Sequence, residues 1–140
     1  MCNCKRYKCS LTFEVVTSSA NVNLPESNRL RNSKVVGVAV MRAGGATLLS
    51  PNGATLATDA VVGSAYLNLT NVNGTQLCPQ LPLSHLMRDY NAPDPLPVNW
   101  TEIDPTQTSL TINTGASGYN AAHVVMITFF LDCDNCGVPD

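Results

Sequence analysis

Charge is scarce in this chain: its 140 residues hold eight Lys plus Arg and ten Asp plus Glu, 13% of the total. A nucleic-acid surface built on so few, dispersed cations would be thin. No run reaches the roughly 18 apolar residues that a membrane helix requires, so no membrane partner is expected. The basic residues Lys5, Arg6 and Lys8 are followed by no apolar stretch. No secretory leader is therefore expected, and the chain is expected to be made in a cytoplasm. There is no G-x-S-x-G, H-E-x-x-H, P-loop or G-x-G-x-x-G, which removes the common signatures of hydrolases, zinc proteases and nucleotide enzymes. One Trp and four Tyr are a modest stock for a sugar-stacking platform.

What is abundant is Asn, Thr, Ser and Gly, beside a 44% hydrophobic share. This uncharged, turn-rich composition suits many short strands joined by loops. The length suits one domain, residues 1–140, large enough to bury a real core. The charge it does have is unevenly placed. Up to Arg42 there are seven basic and two acidic residues, giving +5; from Ala43 there are one basic and eight acidic residues, giving −7. The two halves can meet within the fold or across a subunit interface.

The strongest signal is the run Ala121 to Gly137, A-A-H-V-V-M-I-T-F-F-L-D-C-D-N-C-G. Its β-branched and aromatic residues predict a strand. Val125, Ile127, Phe129 and Leu131 lie on one side, and Val124, Met126 and Phe130 on the other. With two apolar faces, the strand should be covered on both.

Earlier in the chain, residues 10–18 alternate as a half-buried strand. Residues 21–33, with Pro25, several Asn and two Arg, read as a long loop or an extended arm. Lys34 to Arg42 is a second buried strand, in which Gly37 and Ala39 leave room for close approach by another backbone or a ring. Gly44-Gly45 turns the chain. Ala46 to Leu49 and Ala54 to Thr58 form a hairpin around Ser50-Pro-Asn-Gly53. Residues 64–71 alternate, with Ala65, Leu67 and Leu69 inward and Tyr66, Asn68 and Thr70 outward; Asn73-Gly74 is a hairpin turn, and Thr75 to Cys78 return. Pro79 to Tyr90 is the only segment that reads as a helix, with Pro82 in its first turn. The prolines of 91–99 predict a loop, Trp100 to Ile103 an edge strand, Gln107 to Asn113 a strand with Leu110 and Ile112 inward, and residues 114–119 a loop. The expectation is an all-β fold: an eight- to nine-stranded antiparallel sandwich, jelly-roll-like, with at most one short helix.

Candidate chemistry concentrates in the cysteines of the Cys-rich termini, residues 1–9 and 133–140. Cys2, Cys4 and Cys9 form C-x-C-x4-C, and Cys133 and Cys136 form C-x2-C-G. Four of these five could hold a structural zinc and clasp the two ends; disulfides or reduced thiols are the open alternatives. Cys78, in a β-run, reads as a buried small hydrophobe. His123 shares a strand face with Val125 and Ile127 and reads as a core or interface histidine; Ser84-His85 is no triad signal. Asp132 and Asp134 are too few for a calcium site. Asp59, Asp89, Asp94 and Asp104 sit in turns, where Asp is favoured. Sequons at Asn68, Asn73 and Asn99 are expected by chance in so Asn- and Thr-rich a chain. No catalytic residue and no cofactor other than zinc is indicated.

The segments K-V-V-G-V-A-V-M-R, L-L-S-P-N-G-A-T-L-A-T-D-A, S-A-Y-L-N-L-T-N-V-N-G-T-Q-L and L-P-L-S-H-L, with W-T-E-I-D-P-T-Q-T-S-L-T-I and H-V-V-M-I-T-F-F-L, resemble small jelly-roll virion proteins of bacterial viruses. The members in question are minor capsid, penton-like or head-decoration components. The resemblance spans about residues 34–132 and leaves out the cysteine-rich ends. It implies a non-enzymatic subunit of a virion that assembles into symmetric oligomers with copies of itself and other virion proteins. A carbohydrate- or cell-surface-binding sandwich, with Trp100 and Tyr66 as its platform, is the alternative. A zinc-clasped nucleic-acid-associated protein, centred on Lys5, Arg6 and Lys8, is a third.

Overall fold

In the computed structural model the described residues are 10–43, 49–88 and 95–132. They form strands β1 (Ser10–Val16), β2 (Asn21–Asn23), β3 (Lys34–Met41), β4 (Tyr66–Thr70), β5 (Gln76–Pro82), β6 (Met87–Arg88), β7 (Leu96–Thr101), β8 (Ser109–Thr111) and β9 (Val124–Leu131). Two short helices are interspersed, α1 (Asn28–Arg31) and α2 (Asp59–Gly63). The strands make two sheets, an all-β sandwich. The first runs β1-β9-β3, with β6 and β7 sharing the far edge of β3; the second runs β2-β8-β4-β5. Apart from the two-residue parallel β3–β6 pair and the isolated parallel bridge Leu56–Val124, every pairing among the described residues is antiparallel. Consecutive strands alternate between the sheets except at the β4–β5 hairpin and at β6 and β7, which share the far edge of β3; with β6 and β7 counted as one edge position this is a jelly-roll winding.

The alternation read in the sequence places the core. The first sheet turns Phe13, Val15, Val35, Val38, Val40, Val125, Ile127, Phe129 and Leu131 inward; the second contributes Leu67, Leu69 and Leu110. The rings of Phe13 and Phe129 meet edge to face at 5.8 Å, an arrangement that the aromatic quadrupole favours. As expected, β9 is covered on its second face too, though partly. Val124 is buried in a small cluster with Ala43 and Leu56. The Val124 N–H donates to Thr55 O at 3.0 Å, and Ala57 N–H donates to Val124 O at 2.8 Å. Further along that face Met126 and Phe130 are half-buried. Pro95 lies over Gly37, where an added Cβ would stand 3.0 Å from its Cγ.

Four expectations need correction. The helix expected over Pro79 to Tyr90 is instead the end of β5, a single 3₁₀ turn at Leu83–His85, and β6. Pro82 lies on an edge strand, where a missing N–H costs no ladder bond. The fold has two short helices rather than one at most. Each is announced only by its N-cap: Ser27 Oγ accepts from Leu30 N–H, and Thr58 Oγ1 from Val61 N–H. The strand expected from Trp100 starts earlier, at Leu96, because Pro97 sits on an edge strand that pairs only with β3. Residues 21–33, expected as a loop or arm, are packed onto their own sandwich with Leu24 and Leu30 buried. The Gly44-Gly45 turn, the start of the Ala46 to Leu49 strand and residues 91–94 of the proline loop lie outside the described residues.

Candidate interaction face

The solvent side of the second sheet stands apart in its chemistry. Its four strands, NVN, SLT, YLNLT and QLCPQLP, contain no Asp, Glu, Lys or Arg. Register brings Asn21, Thr111 and Tyr66 side by side in one row and Asn23, Ser109 and Asn68 in the next. Hydrogen bonds lock the rows together. Thr111 Oγ1 donates to Asn21 Oδ1 at 3.1 Å, Asn68 Nδ2 donates to Thr111 Oγ1 at 3.1 Å, and Gln80 N–H donates to Asn68 Oδ1 at 3.1 Å. The last bond holds Gln80 at a positive φ of 51°, so the side chain of Asn68 organises a kink in β5. Beyond the ladder, Thr70 N–H donates to the buried Thr108 Oγ1 at 3.3 Å, which extends the β4–β8 contact past the backbone register. On this fixed amide and hydroxyl surface Tyr66 is 41% exposed. A surface with no Asp, Glu, Lys or Arg binds without ion pairing, through shape, stacking and neutral hydrogen bonds.

Among the described residues the charged side chains lie elsewhere, and five of them pair within the fold. Arg31 Nη2 sits 2.8 Å from Glu26 Oε2 and 2.8 Å from Asp104 Oδ1. The Arg31 guanidinium holds the Glu26 carboxyl below its usual range. Asp104 also caps the 3₁₀ turn Pro105–Gln107, accepting from Thr106 N–H at 3.1 Å. Arg42 pairs with Asp59 at 3.2 Å, and Asp59 Oδ1 accepts from Ala43 N–H at 2.9 Å. The basic first part and the acidic remainder thus meet inside the subunit at Arg31–Asp104 and Arg42–Asp59.

The other candidate residues fall in scattered places. Trp100 is on β7 in the first sheet, packed against the core, so it and Tyr66 are on different sheets and form no joint platform. Cys78 is a free thiol, half-buried on β5. His85 is exposed in its 3₁₀ turn. His123 is half-buried at the entry to β9; its Nδ1 is buried without a partner, while its carbonyl accepts from Thr17 N–H at 2.9 Å. Asp132 follows β9, its N–H donating to Lys34 O at 2.8 Å. Cys2, Cys4, Cys9, Cys133 and Cys136, with Lys5, Arg6, Lys8, Asp89, Asp94 and Asp134, lie outside the described residues. Among the described residues no three His, Cys, Asp or Glu side chains come together as a metal site, and no helix is long and apolar enough to cross a membrane. The Asn21–Thr111–Asn68–Gln80 ladder was not foreseen. Its only trace in the sequence is the lack of charge in segments far apart along the chain.

No protein-family model matches the chain, and no curated protein or solved structure matches it.

Proposed function

We propose that this chain is a non-enzymatic structural subunit of a virus particle, a capsid-associated jelly-roll protein of minor capsid, penton-like or decoration type. The observation that carries the reading is the charge-free face of the second sheet. The centres of protein interfaces are depleted in charge and enriched in Tyr, and a face of four strands without one Asp, Glu, Lys or Arg, with Tyr66 standing on it, has that composition. The jelly-roll winding agrees, since such sandwiches build viral shells, although lectin domains use the same winding. In a symmetric assembly the same face would be buried at every subunit. The test is native mass spectrometry with negative-stain microscopy of the purified protein at rising concentration. A discrete closed oligomer that Asn68→Lys or Tyr66→Lys dissociates, with the fold intact, supports the reading. A monomer at every concentration counts against it.

A second reading, a carbohydrate-binding module, is favoured by the same neutral amides and hydroxyls beside an exposed ring. It expects saturable glycan binding that Tyr66→Ala abolishes without loss of stability.

A further inference from the structure

We infer that β1 is a strand-pairing edge, and that its partner is β1 of a second copy, joined antiparallel about a two-fold axis through Phe13. The inference rests on the assembly reading above and names one of its contacts.

The edges of the two sheets are unequal. β2 has three residues and β6 two. β5 carries Pro82 and is kinked at Gln80, φ 51°; β7 carries Pro97. Short strands, prolines and kinks are the devices that stop an edge from recruiting another chain. β1 has none of them. Among the described residues it is a seven-residue edge strand, SLTFEVV, without Pro or Gly, with Glu14 as its one charge, and in unbroken register with β9 on one side only.

The direction of its free backbone groups follows from the hydrogen bonds. Thr17 N–H donates to its opposite residue, His123, at 2.9 Å. In an antiparallel pair such bonding alternates along the strand. Leu11, Phe13 and Val15 therefore point their N–H and C=O at β9, and Ser10, Thr12, Glu14 and Val16 point theirs outward.

A two-fold through Phe13 sets Thr12 opposite the partner's Glu14 and Ser10 opposite the partner's Val16. All of these carry outward backbone groups, so every outward N–H and C=O finds a mate. The same axis keeps the faces in step. Leu11, Phe13 and Val15 meet their counterparts on the inner side, continuing the apolar layer that half-exposed Leu11 leaves open at this edge. On the outer side no like charges stand directly opposite. Moving the axis to position 12 leaves the outward groups of Val16 without a mate. Moving it to position 14 sets Glu14 opposite the partner's Glu14, like charges face to face, and carries the mate of Ser10 beyond the strand. The axis through Phe13 alone pairs the full length of β1.

The register makes opposite predictions for two substitutions at one position. Thr12→Lys places an ammonium opposite the partner's Glu14, and Thr12→Glu places a second carboxylate there. Sedimentation equilibrium of the full chain is expected to show a dimer step that Thr12→Lys tightens and Thr12→Glu weakens, each by up to about ten-fold. Thr12→Pro removes an outward N–H that the subunit's own sheet does not use, and is expected to abolish the step while the circular dichroism of the subunit persists. Hydrogen exchange reads the same edge without any mutation: the amides of Thr12, Glu14 and Val16 should be protected in the dimer and exchange on dilution. Oligomers that form but ignore all three substitutions overturn the β1 contact and leave the assembly reading standing. A wild-type monomer at all concentrations overturns both. Protection of those amides in a monomer would mean that the chain covers its own edge, and also overturns the inference.

Discussion

Thr58 and Gly118 are in contact so close that a Cβ on Gly118 would stand 2.6 Å from Thr58 Cγ2. Thr58 caps α2 and also donates from Oγ1 to Ser117 O at 2.8 Å, so the cap and the loop of residues 113–120 are one unit. Gly118 itself has φ +78°, which a Cβ disfavours. Gly118→Ala is therefore expected to destabilise by about 2–3 kcal/mol, from the backbone and from displacement of the cap. Thr58→Ser keeps the cap and removes the clashing methyl. The double variant should lose less stability than the sum of the two single variants, read from urea unfolding as a double-mutant cycle. Simple additivity would mean that the two residues are not coupled.

Phe129 lies at the centre of the core, fully buried and edge to face with Phe13. Phe129→Ala is expected to cost about 3–5 kcal/mol, and Phe129→Leu distinctly less. A loss below about 1 kcal/mol for the alanine variant would contradict the core position.

The frame of this fold is legible in the sequence wherever one period dominates. The alternation at Leu67 and Leu69, the hairpin dipeptide Asn73-Gly74 and the apolar inward row of β9 all predict what is found. What escapes sequence reading is decided by long-range pairing. Pro97 reads as a loop residue until β3 supplies a single partner edge. Residues 79–90 have a helical look because Pro82 could stand in a first helical turn, but β4 captures the first part as a strand. Residues 21–33 look like an arm because their anchors, Asp104 and Thr106, lie more than 70 residues away along the chain. The candidate face is illegible for the same reason: Asn21, Asn68 and Thr111 are ordinary residues until register sets them in a row.

Asn68 is the hinge of that face, accepting from Gln80 N–H and donating to Thr111 Oγ1. Asn68→Ala removes both bonds and leaves the kink at Gln80 unsupported, with an expected loss of about 1–2 kcal/mol. Asn68→Asp retains the acceptor for Gln80 but has no donor for Thr111, so its loss should be smaller and its Gln80 amide should stay protected from exchange. Equal loss in both variants would show that the bond to Thr111, not the kink, is the one that matters.

Acid should loosen the packed segment around α1. The Arg31 guanidinium, hydrogen-bonded to Glu26, lowers the Glu26 carboxyl from its ordinary value of 4.5. A carboxyl held lower in the folded state than in the unfolded one stabilises the fold above the unfolded value, and that contribution is lost as pH falls through the folded value. Arg31 itself is raised by the same bond; its share would be lost only on the far alkaline side, so acid is where the pair is tested. Between about pH 6 and about pH 3 the melting temperature of the wild type should fall further than that of Glu26→Gln, which has no charge to lose. Glu26 is largely exposed, with 54% side-chain accessibility, so salt screens the pair and the difference should shrink at high ionic strength. Asp104, more enclosed and tied to Thr106 as well, would keep Arg31 partly anchored in Glu26→Gln. Arg31→Met removes both pairs at once and should lower the melting temperature at neutral pH more than Glu26→Gln does. The reverse order would mean that Glu26 acts through its own hydrogen bond to the Ser27 amide and not through Arg31.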